Sequence, residues 1–511
     1  MVIAVALIAC ILFLLRLKLR YLFVFDSVNF ALSLKDFNVL RHQPQAPGYP
    51  GFVFLAKLLA NAFPDPTGLF FFIGVLATTV SAFLVVRLGD AMATAKAGVA
   101  AAVLLMFSSA NTSSVIISPV RNFLALTSVL VAWLAWLACT RENARPYFFL
   151  SVAALGIFSS FRPELAVTLL PLLILVAVRR RLGVRDYLIA IAIYGLAILI
   201  WLYPTARPAG GIIPYFKFVQ GFFSSQAQIA AAGNGAYGRV AWLHMAKKAS
   251  IWTFTGALTW IWIVPFTWRR LKSAARPDLR VFLAVWLLPG WLFSCFVHIA
   301  QAGQALASIA PVCLIGGLVL AMIPRIWLFI PALAVSAYLN IYTLKHPIIS
   351  FDEASTASMK SMNRFSGPLL EELLAFRSYK HFFIVTDNAG LSWRTIHYYL
   401  PDTPLLVLDN GITGSPATLF PGRDQVEQVE KVAEVPSCGT IAWLVNRSDE
   451  VREATSGLAL PDWHGKVYLT EGAPGIDLKL ASQLPIQSNG RFCGDGPALT
   501  SSSPRPNLRP R

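Results

Sequence analysis

Eleven apolar stretches, near 2–15, 67–86, 98–112, 120–139, 147–161, 163–178, 187–203, 249–268, 281–297, 304–323 and 327–344, constrain this chain more than any other feature. A bilayer-spanning helix needs about 20 apolar residues, fewer where flanking side chains snorkel. The stretches therefore predict a polytopic α-helical membrane protein of about eleven spans. The first stretch, Val2 to Leu15, lacks a basic n-region and runs into Arg16, Lys18 and Arg20 instead of a small-residue cleavage site, so it reads as a retained span.

Charge is distributed in the same two-part way. Met1 to Lys345 carries 28 Lys/Arg against 8 Asp/Glu, whereas His346 to Arg511 carries 15 against 18. The net charge of +17 thus belongs to the membrane part. Its basic residues lie in short loops, where they set topology and meet membrane lipid headgroups, which argues against nucleic-acid binding. Arg87 and Lys96, Arg141 and Arg145, Arg179 to Arg181 with Arg185, Arg269 to Arg280, and Arg325 fall on one side, expected to be cytoplasmic. The opposite face then receives the large loop 16–66, the turn 112–119, the loop 204–248, the turn 298–303 and the C-terminal domain. Within loop 16–66, residues 51–63 are apolar but too short to cross, which suits an interfacial helix.

The expected domains are 1–345 (membrane), 346–487 (extracytoplasmic α/β) and 488–511 (a disordered tail rich in Ser, Pro, Gly and Arg). In the second of these, 369–376 and 394–400 look helical, and 381–387, 404–409, 440–445 and 466–470 look like strands of a mostly parallel sheet. Cys10, Cys139, Cys295 and Cys313 lie in or beside apolar runs and read as small core residues. Cys438 and Cys493 lie in the soluble part, either as free thiols or as one disulfide.

Ionisable groups at membrane level are costly, so those that occur are candidates for function. On the outward face of the membrane part the carboxylates are Asp26, Asp36, Asp65 and Glu164. Asp65, between two prolines, reads as a turn former, and Asp36 as a solvated charge. Asp26 ends an apolar stretch in FVFDSVNF, as a site carboxylate, as the N-cap of a helix 27–35, or as both. HQPQAPGYP (42–50) offers His42 and Gln43 on a proline-braced loop, either a pocket edge or a stiff lead into the interfacial helix. FRPE (161–164) offers Arg162 for a phosphate or for an ion pair with Glu164. VHIAQAGQ (297–304) adds His298, Gln301 and Gln304, as ligands or as structural hydrogen-bonding groups. HExxH, GxSxG, P-loop and paired-Cys motifs are absent.

DSVNFALSLKDFN with HQPQAPGYPGFVFLAKLL resembles the first outward loop of GT-C membrane glycosyltransferases, in the family 39-type branch of protein O-mannosyltransferases and aminoarabinose transferases. FRPELAVTLLP and HIAQAGQALASIAP resemble later stretches of the bacterial relatives. The resemblance covers the membrane part and implies transfer of a hexose or pentose from a polyprenyl-phosphate donor to a protein, lipid or glycan acceptor, with inversion. It implies a multi-pass protein of the plasma (bacterial inner) membrane. Asp26 maps onto the carboxylate that opens the first outward loop, as base or acceptor-orienting group. Arg162 becomes the candidate for the carrier phosphate, with Asn29, His42, Gln43, Tyr49, Glu164, His298, Gln301 and Gln304 as the surrounding binding residues. The chain departs from the family in NTSSVIISPVRN (111–122), which has no acidic residue, and in Ala46, where a proline is commoner. The cofactor stays open, a divalent cation on Asp26 being one alternative. A transporter or flippase of a polyprenyl-linked substrate and a non-catalytic membrane scaffold are the competing functions.

Overall fold

The computed structural model describes the chain apart from residues 1, 231–234, 275–276, 298–301, 349–354, 380, 389, 409–416, 424, 430, 447, 457, 459–466, 475–476, 480–484 and 490–511. The described residues form two compact units: 1–19 with 30–359, and 20–29 with 360–511.

Among the described residues the elements of the first unit are helices joined by loops, and each of the eleven expected stretches falls on a helix or a bent helix pair. Among the described residues six helices are long and apolar enough to cross a membrane: Pro66–Met92, Pro119–Thr140, Val184–Ala209, Pro277–Phe296, Ala302–Ala321 and Ile326–Lys345. Two more stretches are bent pairs, Ala95–Phe107 with Ser109–Ile117 (50°) and Trp242–Leu258 with Ile261–Lys272 (49°), which brings the number to eight if each pair is one span. The expected count of about eleven is not confirmed, because three of the expected spans are shorter helices. Val2–Leu17, Ala144–Phe158 and Glu164–Arg179 have 16, 15 and 16 residues. At about 1.5 Å per residue such helices reach roughly 24 Å, short of a hydrocarbon core of about 30 Å. The expected loop 204–248 is also largely helical, with Ile212–Ala230 and the start of Gly235–Leu258.

Small residues let these helices approach closely, the usual means of packing where lipid removes the hydrophobic drive between helices. Helix Pro66–Met92 turns into Ala95–Phe107 through Thr94, whose side chain caps the new helix at Ala97 N (3.2 Å). A Cβ on Gly98 would strike the Val86 backbone, and one on Gly317 would strike the Ala97 carbonyl and Ala101. Asp65, expected as a turn former, caps Pro66–Met92 by accepting from Gly68 N at 2.8 Å, with Pro66 opening the helix. At the bend beyond Phe107, Ser108 caps the second half, and a fully buried amide network forms. In it Asn122 Nδ2 donates to Asn111 Oδ1 (2.8 Å) and Thr78 Oγ1 donates to the same oxygen (3.2 Å).

The expected interfacial segment is the helix Pro50–Leu59, continued by a 3-10 turn Ala60–Ala62. Phe52 and Ala56 are fully buried, whereas Phe54 is 71% and Leu58 68% exposed, so a second apolar face is left uncovered.

In the second unit the described residues form nine strands in two sheets: β1 (Phe382–Thr386), β2 (Leu405–Val407), β3 (Ala417–Phe420), β4 (Glu427–Val429), β5 (Ala433–Pro436), β6 (Thr440–Leu444), β7 (Tyr468–Glu471), β8 (Asp477–Lys479) and β9 (Pro485–Asn489). The larger sheet runs β4-β3-β2-β1-β6-β7 and the smaller β5-β9-β8. Only β1 with β2 and β1 with β6 are parallel in the larger sheet, so it is mixed and not mostly parallel. Strand alternation splits its core in two: Phe383, Val385, Ile441 and Trp443 face one side, and Phe382, Ile384, Ala442 and Leu444 the other. The expected helices appear as Gly367–Ala375 and Trp393–Tyr399. Cys438 is disulfide-bonded, and Cys493 lies outside the described residues, as does the expected tail beyond Asn489.

Close glycine packing makes a direct prediction. Gly317→Leu will destabilise the purified protein by about 1–3 kcal/mol, seen as earlier loss of the monodisperse peak in a thermal ramp. Gly195→Leu, at a helix position with nothing within 4 Å, will melt with the wild type.

Candidate active site

The first unit draws three separate stretches of sequence together. Residues 38–50 form a compact loop whose backbone pairs with itself, Asn38 N donating to Gln43 O at 2.7 Å and Gln43 N to Asn38 O at 2.9 Å. The Gln43–Pro44 and Ala46–Pro47 peptide bonds are cis, and Tyr215 donates its hydroxyl proton to Pro47 O at 2.7 Å. Gly48 has φ +101°, and a Cβ there would stand 2.8 Å from Val39 Cγ2, so this corner requires glycine. The loop hands the chain to the helix Pro50–Leu59 with Tyr49 at φ 44°.

The loop docks on the turn 159–163. Gly51 N donates to Ser160 O at 3.1 Å, and a Cβ on Gly51 would overlap the Ser160 hydroxyl. Tyr49 lies under the Arg162 guanidinium, 5.2 Å from ring centroid to Cζ, and Arg162 NH2 contacts Glu164 Oε1 at 2.7 Å. The Arg162 side chain is only 7% exposed, so the ion pair and the aromatic face together hold a cation largely removed from water. The Arg162–Glu164 pair is therefore real, and Glu164 also sits in the first turn of Glu164–Arg179, where a carboxylate is favoured by the helix dipole.

An aromatic chain continues from there. Phe161 stacks on Phe123 at 4.2 Å, and Phe52 approaches Phe123 at 6.2 Å. Phe123 follows Arg121 and Asn122, both buried. The 3-10 turn Ala302–Ala305 packs on this corner: a Cβ on Gly303 would overlap Ser114 Oγ and stand 2.8 Å from Arg121 Cδ. Gln304 lies in that turn, while His298 and Gln301 fall outside the described residues. His42 takes a different neighbourhood, packing against Phe218 (6.5 Å) and Phe222 (6.0 Å) of the helix Ile212–Ala230.

Asp26 and Asn29 belong to the second unit. Asp26 is half-buried in the first turn of the helix Phe25–Ser33. Backbone bonding begins with Val28 N donating to Val24 O at 3.1 Å, so Asp26 stands inside the helix and is not its N-cap. Asn29, three residues on and hence on the same face, is completely buried and accepts from Arg394 Nε at 2.9 Å. Burial pushes the Arg394 guanidinium down to about 10, and it remains charged at neutral pH. Arg394 and the Asn111–Asn122 network escape sequence reasoning, because their partners are not local and no motif marks them.

Among the described residues no group of three or more His, Cys, Asp or Glu side chains comes together as a metal site. Asp26 supplies one carboxylate.

No family model and no curated protein matches the chain. Several solved structures are similar at low identity. ArnT from Cupriavidus metallidurans, bound to undecaprenyl phosphate, matches at a TM-score of 0.47 and 14% identity, over 74% of this chain and 70% of that one. The oligosaccharyltransferase of Archaeoglobus fulgidus, tethered to an acceptor peptide, matches at a TM-score of 0.44 and 12% identity, over 85% of this chain and 62% of that one. The same enzyme complexed with Zn and sulfate matches at a TM-score of 0.36 and 13% identity, over 78% of this chain and 61% of that one.

The Arg162 arrangement predicts strong coupling to its carboxylate. Glu164→Gln will lower stability by roughly 2 kcal/mol, and combining it with Arg162→Met will cost less than the sum of the two single changes in a thermal double-mutant cycle.

Proposed function

We propose that the protein transfers a hexose or pentose from a polyprenyl-phosphate-linked donor to an acceptor at the outer face of the membrane, with inversion at the anomeric carbon. The observation that carries this reading is convergence. Three stretches bear the sequence resemblance to membrane glycosyltransferases and lie more than a hundred residues apart: the loop 38–58 meets the turn 159–164 through Tyr49–Arg162, and the turns 159–164 and 302–305 both pack on residues 121–123, through Phe161–Phe123 and Gly303–Arg121. Residues that merely tolerated lipid would have no reason to collect buried cations at one corner.

In this mechanism Asp26 removes the proton of the acceptor hydroxyl as its oxygen attacks C1. The C1–O bond to the carrier breaks, and the departing polyprenyl phosphate leaves as an anion. Arg162, fixed by Tyr49 and Glu164, meets the carrier phosphate. General-base help is commonly worth about 10²–10⁴-fold, and a fixed cation stabilises charge that grows on the leaving group. The proposed location is the bacterial inner membrane, with 346–487 extracytoplasmic. The Cys438 disulfide supports that side, since disulfides persist in oxidising compartments. The acceptor is a protein, a lipid or a growing glycan.

The test is sugar transfer from radiolabelled polyprenyl-phosphate donors by membranes with matched expression. Asp26→Asn should lose about 10²–10⁴-fold in transfer while still binding donor, and Arg162→Ala should lose donor binding. Wild-type transfer in Asp26→Asn would remove Asp26 as the base.

A further inference from the structure

Ten residues of the large first loop are built into the second unit, and they include the proposed base. Each rung of this attachment involves a named group. Arg20 N donates to Asn363 Oδ1 at 3.0 Å, and Tyr21 donates its hydroxyl proton to Glu371 at 3.2 Å. Burial and the Glu371 carboxylate both push the Tyr21 phenol up, which keeps it a donor. Leu22 N donates to the Tyr399 hydroxyl at 3.0 Å, and Arg394 Nε to Asn29 at 2.9 Å. Rings fill the gaps: Tyr21 meets Tyr399 edge-on at 5.5 Å, and Phe25 meets Trp393 edge-on at 6.0 Å. Tyr21, Phe23 and Phe25 thereby complete the apolar core formed by Leu370, Leu373, Ile396 and one face of the large sheet.

Resting on the reading of Asp26 as the base, we infer that the helix Trp393–Tyr399 positions Asp26, with Arg394 and Tyr399 as its positioning residues. Three features single these two out. They act on both sides of Asp26 in sequence, Tyr399 at Leu22 and Arg394 at Asn29. Both come from one helix, so they fix the segment as a rigid pair. Arg394 is also buried, a costly placement for a guanidinium that is offset only where its acceptors are fixed in turn. Asn29 is the acceptor, and it shares a helix face with Asp26. On this account the C-terminal unit supplies the residues that hold the proposed base.

The experiment uses the full-length protein in lipid nanodiscs, comparing wild type, Asp26→Asn, Arg394→Gln, Arg394→Lys and the milder Tyr399→Phe. Hydrogen exchange of residues 20–29 is read alongside kcat and donor KM. The expected result is that exchange in 20–29 speeds at least tenfold in Arg394→Gln and Tyr399→Phe while the helices Pro66–Met92 and Leu306–Ala321 stay protected. Transfer should fall through kcat, by up to roughly 10²-fold for a displaced catalytic group, with donor KM within twofold, and Arg394→Lys should recover part of it. Unchanged exchange in 20–29 overturns the inference. So does faster exchange with full kcat when Asp26→Asn is inactive, and that outcome leaves Asp26 as the base. Full activity in Asp26→Asn overturns the functional reading and the inference together.

Discussion

A guanidinium taken out of water must be met by fixed acceptors or aromatic faces, and the arrangement of this protein follows from where its buried arginines are met. Arg162 is held by Glu164 and the ring of Tyr49, which ties the proline-braced loop to the turn before Glu164–Arg179. Arg394 is held by Asn29, which ties the start of the helix Phe25–Ser33 into the C-terminal unit. Arg121, buried beside Gly303, marks a third such corner. A buried charge contributes little net stability but penalises every arrangement in which its partners are displaced.

The apolar framework makes these placements affordable in structural terms by being rigid. Helices approach through glycine and alanine, as at Gly98 on Val86 and Gly317 on Ala97, so their backbones are in contact and cannot slide without overlap. Inside this framework Asn111, Asn122 and Thr78 hydrogen-bond one another. The turn 111–122, without any carboxylate, thus has its own structural logic: two asparagines stitch a bent helix to its neighbours.

Helix existence was legible in the sequence because lipid demands long apolar runs, and all eleven stretches were found as helices. Their lengths and bends were not, because hydropathy does not reveal that Val2–Leu17, Ala144–Phe158 and Glu164–Arg179 have only 15 or 16 residues or that a helix bends at Ser108. The Arg162–Glu164 pair was legible because its partners are two residues apart. Tyr49 entered through the family resemblance, and the structure supplies its partner. His42 stood beside it in the motif yet faces Phe218 and Phe222, since a left-handed residue at 42 redirects the chain. Arg394 was illegible: its partner Asn29 lies 365 residues away, and nothing in WRTIHYY distinguishes that arginine from a solvated one. The Asp26 N-cap expectation failed because the helix begins two residues earlier, at Phe25, which places the carboxylate in the first turn.

The central claim is that a sugar leaves a polyprenyl phosphate and joins an acceptor hydroxyl in one displacement. The most direct measurement is the fate of both halves of the donor when purified protein acts on a panel of polyprenyl-phosphate hexoses and pentoses, with the anomeric configuration of the product read by NMR. The account predicts one free polyprenyl phosphate for each glycosylated acceptor and an inverted anomeric centre. Donor recovered intact, moved across the bilayer without cleavage, would contradict it, as would a product that retains the donor's configuration.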